Sequence, residues 1–304
     1  MDRKIKPALF VGGLVFDLTR DTDHWPGRNE KHTSNREVRC MGGGGTNSAR
    51  SYRQLGLPCT LIAPLGLDGI GKDYRSELGN SGIQILPRDV YETPINIVRP
   101  KGMDRSLERG PEPIYVNPEE FPQEDPAKYC RLHLDGKERQ AALYHARAFR
   151  AKGLDVSLDA NPRLNTEELI EHSTIVFASH SYFATRGESF DDFFAFLRSK
   201  GVWFGGVTMG ERGVVWFGPG ISREDTDAPH VPHEQIEDTS GAGDGFHGAL
   251  QASLETCGTS RSWKQHIFFA STVGAMMVRQ FGNKHYPKLE EVQGSLVPRL
   301  AASA

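Results

Sequence analysis

The chain has 304 residues, 38% of them hydrophobic and 25% charged, which is the composition of a chain that buries a large core in one α/β domain or two average ones. With 36 Lys and Arg against 39 Asp and Glu the formal net charge is -3, which excludes a general phosphate-backbone binder, since such domains carry a basic excess. Cys40, Cys59, Cys130 and Cys257 stand far apart with no C-x-x-C, so they read as reduced thiols of a cytoplasmic protein rather than a zinc ribbon or disulfide framework.

The charged start, residues 1–6, leads into the apolar run 8–15, predicted as a first strand that ends at Asp17 with no A-x-A cleavage pattern after it. Residues 20–41 are polar and charged. A helix is predicted at 46–55, a strand at 60–64 and a helix at 72–78. Residues 92–109 carry an Ile95/Ile97 alternation followed by Arg99, Lys101, Arg105 and Arg109. From pattern alone, 20–41 and 92–109 fit either strands of a small exposed sheet or two surface loops. Five prolines make 111–126 an irregular connector. A short strand at 132–134 precedes a helix at 138–152, where Ala142, Leu143, Ala146 and Phe149 fall at helical spacing. Strands follow at 156–158, 175–177 and 203–207, with a helix at 190–197 that ends at Gly201. A strand at 214–217 and long helical patterns at 243–255 and 263–280 complete the chain. The longest uncharged apolar run in this part, 267–278, is too short to span a bilayer. Such alternation predicts a mostly parallel central sheet with helices on both faces.

Two nucleotide-binding patterns occur and fail on chemistry. Gly66 to Asp73 fits G-x-x-x-x-G-K, but Asp73 stands where Ser or Thr should offer a hydroxyl to Mg²⁺. Gly243 to Gly248 fits G-x-G-x-x-G, but no βαβ unit surrounds it and Asp244 sits inside the would-be pyrophosphate turn. His230 and His233, in a Pro-containing loop, read as solvated side chains.

The informative segment is D-T-S-G-A-G-D-G-F-H-G-A-L at 238–250. Small residues before a helix let the bare N–H groups of Gly241, Ala242 and Gly243 face one ligand, where the helix N-terminus adds partial positive charge. That is an anion hole suited to a transferring phosphoryl group. Asp244 then has two readings: a base that takes a proton from something bound beside it, or a carboxylate that supports the first helical turn.

This segment resembles the C-terminal signature of the PfkB, or ribokinase-like, carbohydrate kinases, and the resemblance extends over nearly the whole chain. Gly12-Gly13-Leu14-Val15-Phe16-Asp17 resembles the family's first strand, and Gly42-Gly43-Gly44-Gly45-Thr46-Asn47-Ser48-Ala49 its N-terminal glycine motif. Val207-Thr208-Met209-Gly210-Glu211-Arg212-Gly213 is similar to the loop that meets nucleotide phosphates. Ala270, Gly274 and Gly282 fall in a segment like the one flanking the adenine pocket. Ketohexokinase-type members are the most alike, on Asn47-Ser48, Leu55 to Cys59 and His133-Leu134-Asp135-Gly136. Two departures stand out: Phe177-Ala178-Ser179-His180-Ser181-Tyr182 lacks the N-x-x-E that helps hold Mg²⁺ in many members, and Gly44 replaces a Lys or Asn.

The resemblance implies one ribokinase-like α/β domain over 1–304, with a small β lid from about 20–41 and 92–110. It implies ATP-dependent phosphorylation of a small sugar, ketose-like by preference, with a nucleoside kinase of the same fold or a non-catalytic sugar-binding regulator as alternatives. Asp244 would be the base, with Gly241, Ala242 and Gly243 as the anion hole. Asp17, Gly43 and Asn47 would bind substrate; Thr208, Gly210, Gly213, Ala270, Gly274 and Gly282 would bind ATP. ATP and Mg²⁺ are the implied cofactors, with K⁺ a further candidate, the metal ligands unassigned, and a lid-mediated homodimer in the cytoplasm expected. Nucleic acid and membrane are not expected partners. Arg99, Arg105 and Arg109 in the lid read either as solvated charges or as contacts to an anionic substrate tail.

Overall fold

The computed structural model describes residues 5–21, 24–25, 27–162 and 166–300. The charged start and the polar 20–41 segment therefore lie in part outside the described residues, at 1–4 and at 22, 23 and 26. In chain order come β1 (Ala8–Val11), β2 (Val15–Asp21), β3 (Arg36–Gly42), α1 (Gly44–Gln54), β4 (Cys59–Gly66), α2 (Gly69–Asn80), β5 (Ile83–Val90), β6 (Ile95–Lys101) and β7 (Asp104–Arg109). Beyond the Pro-rich connector follow β8 (Leu132–Leu134), α3 (Arg139–Ala151), β9 (Val156–Ala160), α4 (Thr166–Glu171), β10 (Ile175–Ser179), α5 (His180–Arg186) and α6 (Phe190–Ser199). The last third holds β11 (Phe204–Thr208), β12 (Val214–Gly218), β13 (Ile221–Thr226), α7 (Ala242–Cys257), α8 (Trp263–Met277) and α9 (Leu289–Leu300).

Nine strands form the main sheet in the order β13-β12-β11-β10-β9-β8-β1-β4-β5. Neighbours from β5 to β11 are parallel, and β12 and β13 are antiparallel at one edge. Parallel strands covered on both faces need continuous apolar runs, and Ala-Leu-Phe-Val in β1 is wholly buried. Its period of two sends alternate side chains to opposite faces. Ala8 and Phe10 join Tyr52, Ala249 and Ile267, from α1, α7 and α8. Leu9 and Val11 join Phe149 and Phe193, from α3 and α6.

The expected first strand at 8–15 is two strands in two sheets. After Val11 the chain turns, because the Gly13 N–H is drawn to the Asp135 carboxylate at 2.9 Å, and the apolar run resumes as β2. Asp17 therefore lies within β2, outside the main sheet, and not at the end of a main-sheet strand. A second, small sheet of four strands, β3-β2-β6-β7, takes strands from 20–41 and 92–110, so these segments are not only loops. The G-x-x-x-x-G-K pattern is a capped helix start: Asp68 accepts from the Gly71 N–H, the Thr93 N–H and the Thr93 hydroxyl, each at 2.8 Å. A carboxylate fills the place a phosphate would need.

Candidate active site

Asp17, Asn96 and Val98 of the small sheet line one cavity together with Asp159 at the C-terminal end of β9 and Thr208 at that of β11, where open α/β sheets bind ligands. In the small sheet, parallel pairing sets Asp17 of β2 beside Asn96 of β6, and the Asn96 amide donates to Asp17 Oδ1 at 2.9 Å. Asp17 is only 8% exposed. Burial pushes its carboxyl up to about 6, against the pull of the Asn96 hydrogen bond.

Asp135 stitches three loops together. Its Oδ2 accepts from the N–H groups of Gly13 and Gly45 at 2.9 and 2.8 Å, and its Oδ1 accepts from the Lys137 N–H at 2.8 Å. These bonds fix the glycine-rich turn before α1, so the first turns of α1 aim Asn47 at α7. The Asn47 amide donates to Asp244 Oδ2 at 2.7 Å, while its Oδ1 accepts from the Tyr286 hydroxyl at 2.8 Å. The Ser48 hydroxyl donates to the Asp244 carbonyl at 3.0 Å.

Gly241 precedes α7 with φ 74°, a left-handed conformation that suits glycine, and contributes no side-chain cap. The first N–H groups of α7 lack acceptors within the helix and stay available to an anion. The Asp244 carboxylate turns to Asn47 rather than to these amides. Burial first, and then the Asp159 charge, push its carboxyl above the usual carboxylate range, while the Asn47 hydrogen bond opposes them. A raised proton affinity at the cavity wall is what a general base requires.

Two cavities meet here. One, of about 410 Å³, is lined by Asp17, Gly43, Asn47, Gly241, Gly243 and Asp244, all named from sequence. The other, of about 480 Å³, is lined by Thr208, Gly210, Gly213, Ala242, Gly243 and Gly274. Thr208, Thr239 and Gly243 border both. Two sequence-named residues do not line the second cavity. Ala270 is fully buried in the core, one turn before Gly274 on α8. The Gly282 N–H donates to Asp238 Oδ2 at 3.2 Å and so braces the loop before α7. His230 and His233 are exposed, as the sequence reading has them, and their loop also borders that cavity.

Sequence reasoning also missed Asn96, Lys137, Asp159, Asn161 and His247 in the first cavity. The signal for Asp159 and Asn161 was their place at and just beyond the C-terminal end of β9. His247 Nε2 lies 3.3 Å from Asp159 Oδ1. Asn161 Oδ1 is buried without a partner among the described residues. Asp159, Ser179 and Ser181 line the same cavity and, like Asn161, offer oxygen, the donor type that suits Mg²⁺.

The profile of the pfkB family carbohydrate kinases matches residues 7–289. Aminoimidazole riboside kinase of Salmonella typhimurium is 27% identical over 274 residues, covering 82% of this chain and 85% of that protein. Nucleoside kinase of Methanothermobacter thermautotrophicus is 24% identical over 296 residues, covering 92% and 91%. Arabidopsis thaliana ribokinase, solved with ribose and ATP, shares the fold with a TM-score of 0.77 at 21% identity, over 96% of this chain and 99% of that one. With the family profile spanning nearly the whole chain, this protein belongs to the pfkB family of carbohydrate kinases and is an ATP-dependent carbohydrate or nucleoside kinase.

Proposed function

We propose that the chain transfers the γ-phosphoryl group of ATP to a hydroxyl of a small sugar, ketose-like by preference. The observation that carries this reading is the Asn47–Asp244 contact beside the junction of the two cavities. ATP occupies the cavity of Thr208, Gly210, Gly213 and Gly274, and its γ-phosphoryl group meets the α7 N-terminus. The sugar lies in the cavity of Asp17 and Asn47, with one hydroxyl at Asp244. Asp244 takes the hydroxyl proton as the oxygen attacks in line, and the amides of 241–243 stabilise the charge that develops. Asp159, Asn161 and the serines of 179 and 181 would hold Mg²⁺, which supplies neutralisation of the phosphate charge. Asp17, Asn96 and Asn47 offer donors and acceptors to several hydroxyls, each costly to leave unpaired in a closed site.

The curated relatives favour a second reading, a nucleoside acceptor, because both are named for ribosides or nucleosides. ADP release measured with ketoses, ribose and ribonucleosides decides between them: a nucleoside as the best acceptor replaces the sugar reading. A lid-mediated homodimer is part of the proposal. Ile95, 45% exposed on the lid, supports it, and light scattering of the protein in solution tests it. The setting proposed is the cytoplasm; no helix among the described residues is long and apolar enough to cross a membrane.

A further inference from the structure

The lid separates its arginines by face. Arg20 and Arg39 pair with Glu37 at 2.9 and 3.1 Å, Arg36 with Glu237 at 2.7 Å and Arg99 with Glu108 at 3.3 Å. The β6–β7 register sets Asn96 opposite Arg109, Val98 opposite Leu107 and Pro100 opposite Arg105. Strand periodicity then turns Arg105, Leu107 and Arg109 to the face that carries Asn96 and Val98. All five line the acceptor cavity, and Arg99 does not. Arg105 and Arg109 have no carboxylate within ion-pair distance among the described residues.

A third cation comes from the opposite wall. Lys137 follows the Asp135 hub, is half-buried and lines the same cavity, also without a carboxylate partner among the described residues. The cavity's own carboxylates are engaged: Asp17 by Asn96, Asp244 by Asn47 and Asp159 by His247. Arg105 and Arg109 are solvent-exposed, and Arg105 acts on Asp17 at longer range, but none of the three cations has a carboxylate at ion-pair distance among the described residues, and all three converge on one polar cavity that an anion could enter. That anion is not ATP's, on position: the nucleotide cavity touches the lid only at Met103, and neither arginine nor Lys137 lines it. The arginines share their lid face with Asn96 and Asp17 at the acceptor end.

We propose that Arg105, Arg109 and Lys137 form an anion subsite, and that the acceptor is a small sugar bearing a carboxylate or phosphate group. This rests on the kinase reading above and narrows its substrate class. The sugar's hydroxyl meets Asp244 while its anionic end reaches across to Arg105 and Arg109. Guanidinium groups grip either anion in bidentate fashion.

The test is ADP release with sugar acids, sugar phosphates, their neutral counterparts and ribonucleosides, in the wild type and in Arg109→Gln, Lys137→Gln and Arg99→Ala. An anionic sugar is expected to exceed its neutral counterpart in kcat/KM by about tenfold or more, the scale of a hydrogen bond to a charged group. Which anion wins distinguishes carboxylate from phosphate. Arg109→Gln and Lys137→Gln raise KM for that acceptor about ten- to a hundredfold, leave KM for ATP unchanged, and lose the preference for charge. Arg99→Ala behaves as wild type. A neutral sugar or nucleoside as the best acceptor overturns the subsite and leaves the kinase reading standing. If no acceptor turns over, calorimetric titration with the same acids and phosphates decides. Binding that is lost in Lys137→Gln supports the subsite and ends the kinase reading for this panel, and absence of binding overturns the subsite too.

Discussion

Asp17→Asn isolates the cost of placing a charge under the lid. The Asp17 carboxyl rises from its ordinary 3.8 to about 6, chiefly through burial. Below pH 3.8 it is protonated in the folded and the unfolded chain, and burial costs nothing electrostatic. Between 3.8 and about 6 the folded chain keeps the proton and the unfolded chain loses it, so stability falls as pH rises. Above that window the loss is complete, and at about 1.4 kcal/mol per pH unit it reaches about 3 kcal/mol. Asn removes the charge but retains an oxygen to accept from Asn96. The variant is therefore expected to exceed the wild type in stability by up to about 3 kcal/mol near neutral pH, with the difference closing as pH falls below about 4. Urea unfolding at about pH 4 and about pH 7.5 measures it. The same variant loses acceptor affinity, seen as a raised KM for the sugar with KM for ATP unchanged. An equal stability difference at both pH values, or a less stable variant at neutral pH, would refute the argument that burial of the ionised form dominates at this position.

Asp244→Asn keeps the shape that Asn47 meets but cannot take a proton, and is expected to lower kcat by at least about a hundredfold with ATP affinity undiminished; near-normal turnover would return Asp244 to a helix-supporting role. In the wild type, kcat should fall as pH drops through the raised Asp244 value, because the protonated base is inactive, and that acid limb should be absent from the residual activity of Asp244→Asn. Gly241→Ala places a Cβ 2.4 Å from Asn283 Oδ1 on a backbone with φ 74°, so it should cost about 1–2 kcal/mol in denaturant unfolding and reduce kcat by displacing the anion-binding amides. Arg88→Ala removes the only charged partner of the Glu138 carboxylate among the described residues, at 2.7 Å with side-chain exposures of 4% and 3%, and leaves the Tyr115 hydroxyl as its remaining side-chain donor, so it should destabilise by about 3–5 kcal/mol without altering substrate KM.

Periodicity made much of the main body legible. The strand at 132–134 has the predicted bounds of β8, and the pattern at 138–152 encloses α3. β5 was missed because it reads Ile-Gln-Ile-Leu-Pro-Arg-Asp-Val, with a proline and a buried arginine interrupting the pattern at the sheet edge. β13 at the opposite edge reads Ile-Ser-Arg-Glu-Asp-Thr and is mostly exposed, so no apolar run marked it. The glycine segments at 42–45 and 241–243 announced the site through their composition and through likeness to a known signature. The Thr208 loop was legible in the same way.

The sequence by itself determined most of the main-sheet strands and the long helices, which glycine turns can approach an anion, and the family, because each is written in neighbouring residues. The tertiary structure alone decided where the first apolar run breaks: Gly13 answers to Asp135, 122 positions away. It decided that Asp244 meets Asn47 across 197 positions and that Asp17 meets Asn96 across 79. It also decided that Arg105 and Arg109 face the cavity while Arg99 faces its glutamate, since a strand's two faces are equivalent until its pairing register is set. Local periodicity records which residues share a face; which face meets the substrate depends on partners brought together only by the closed fold.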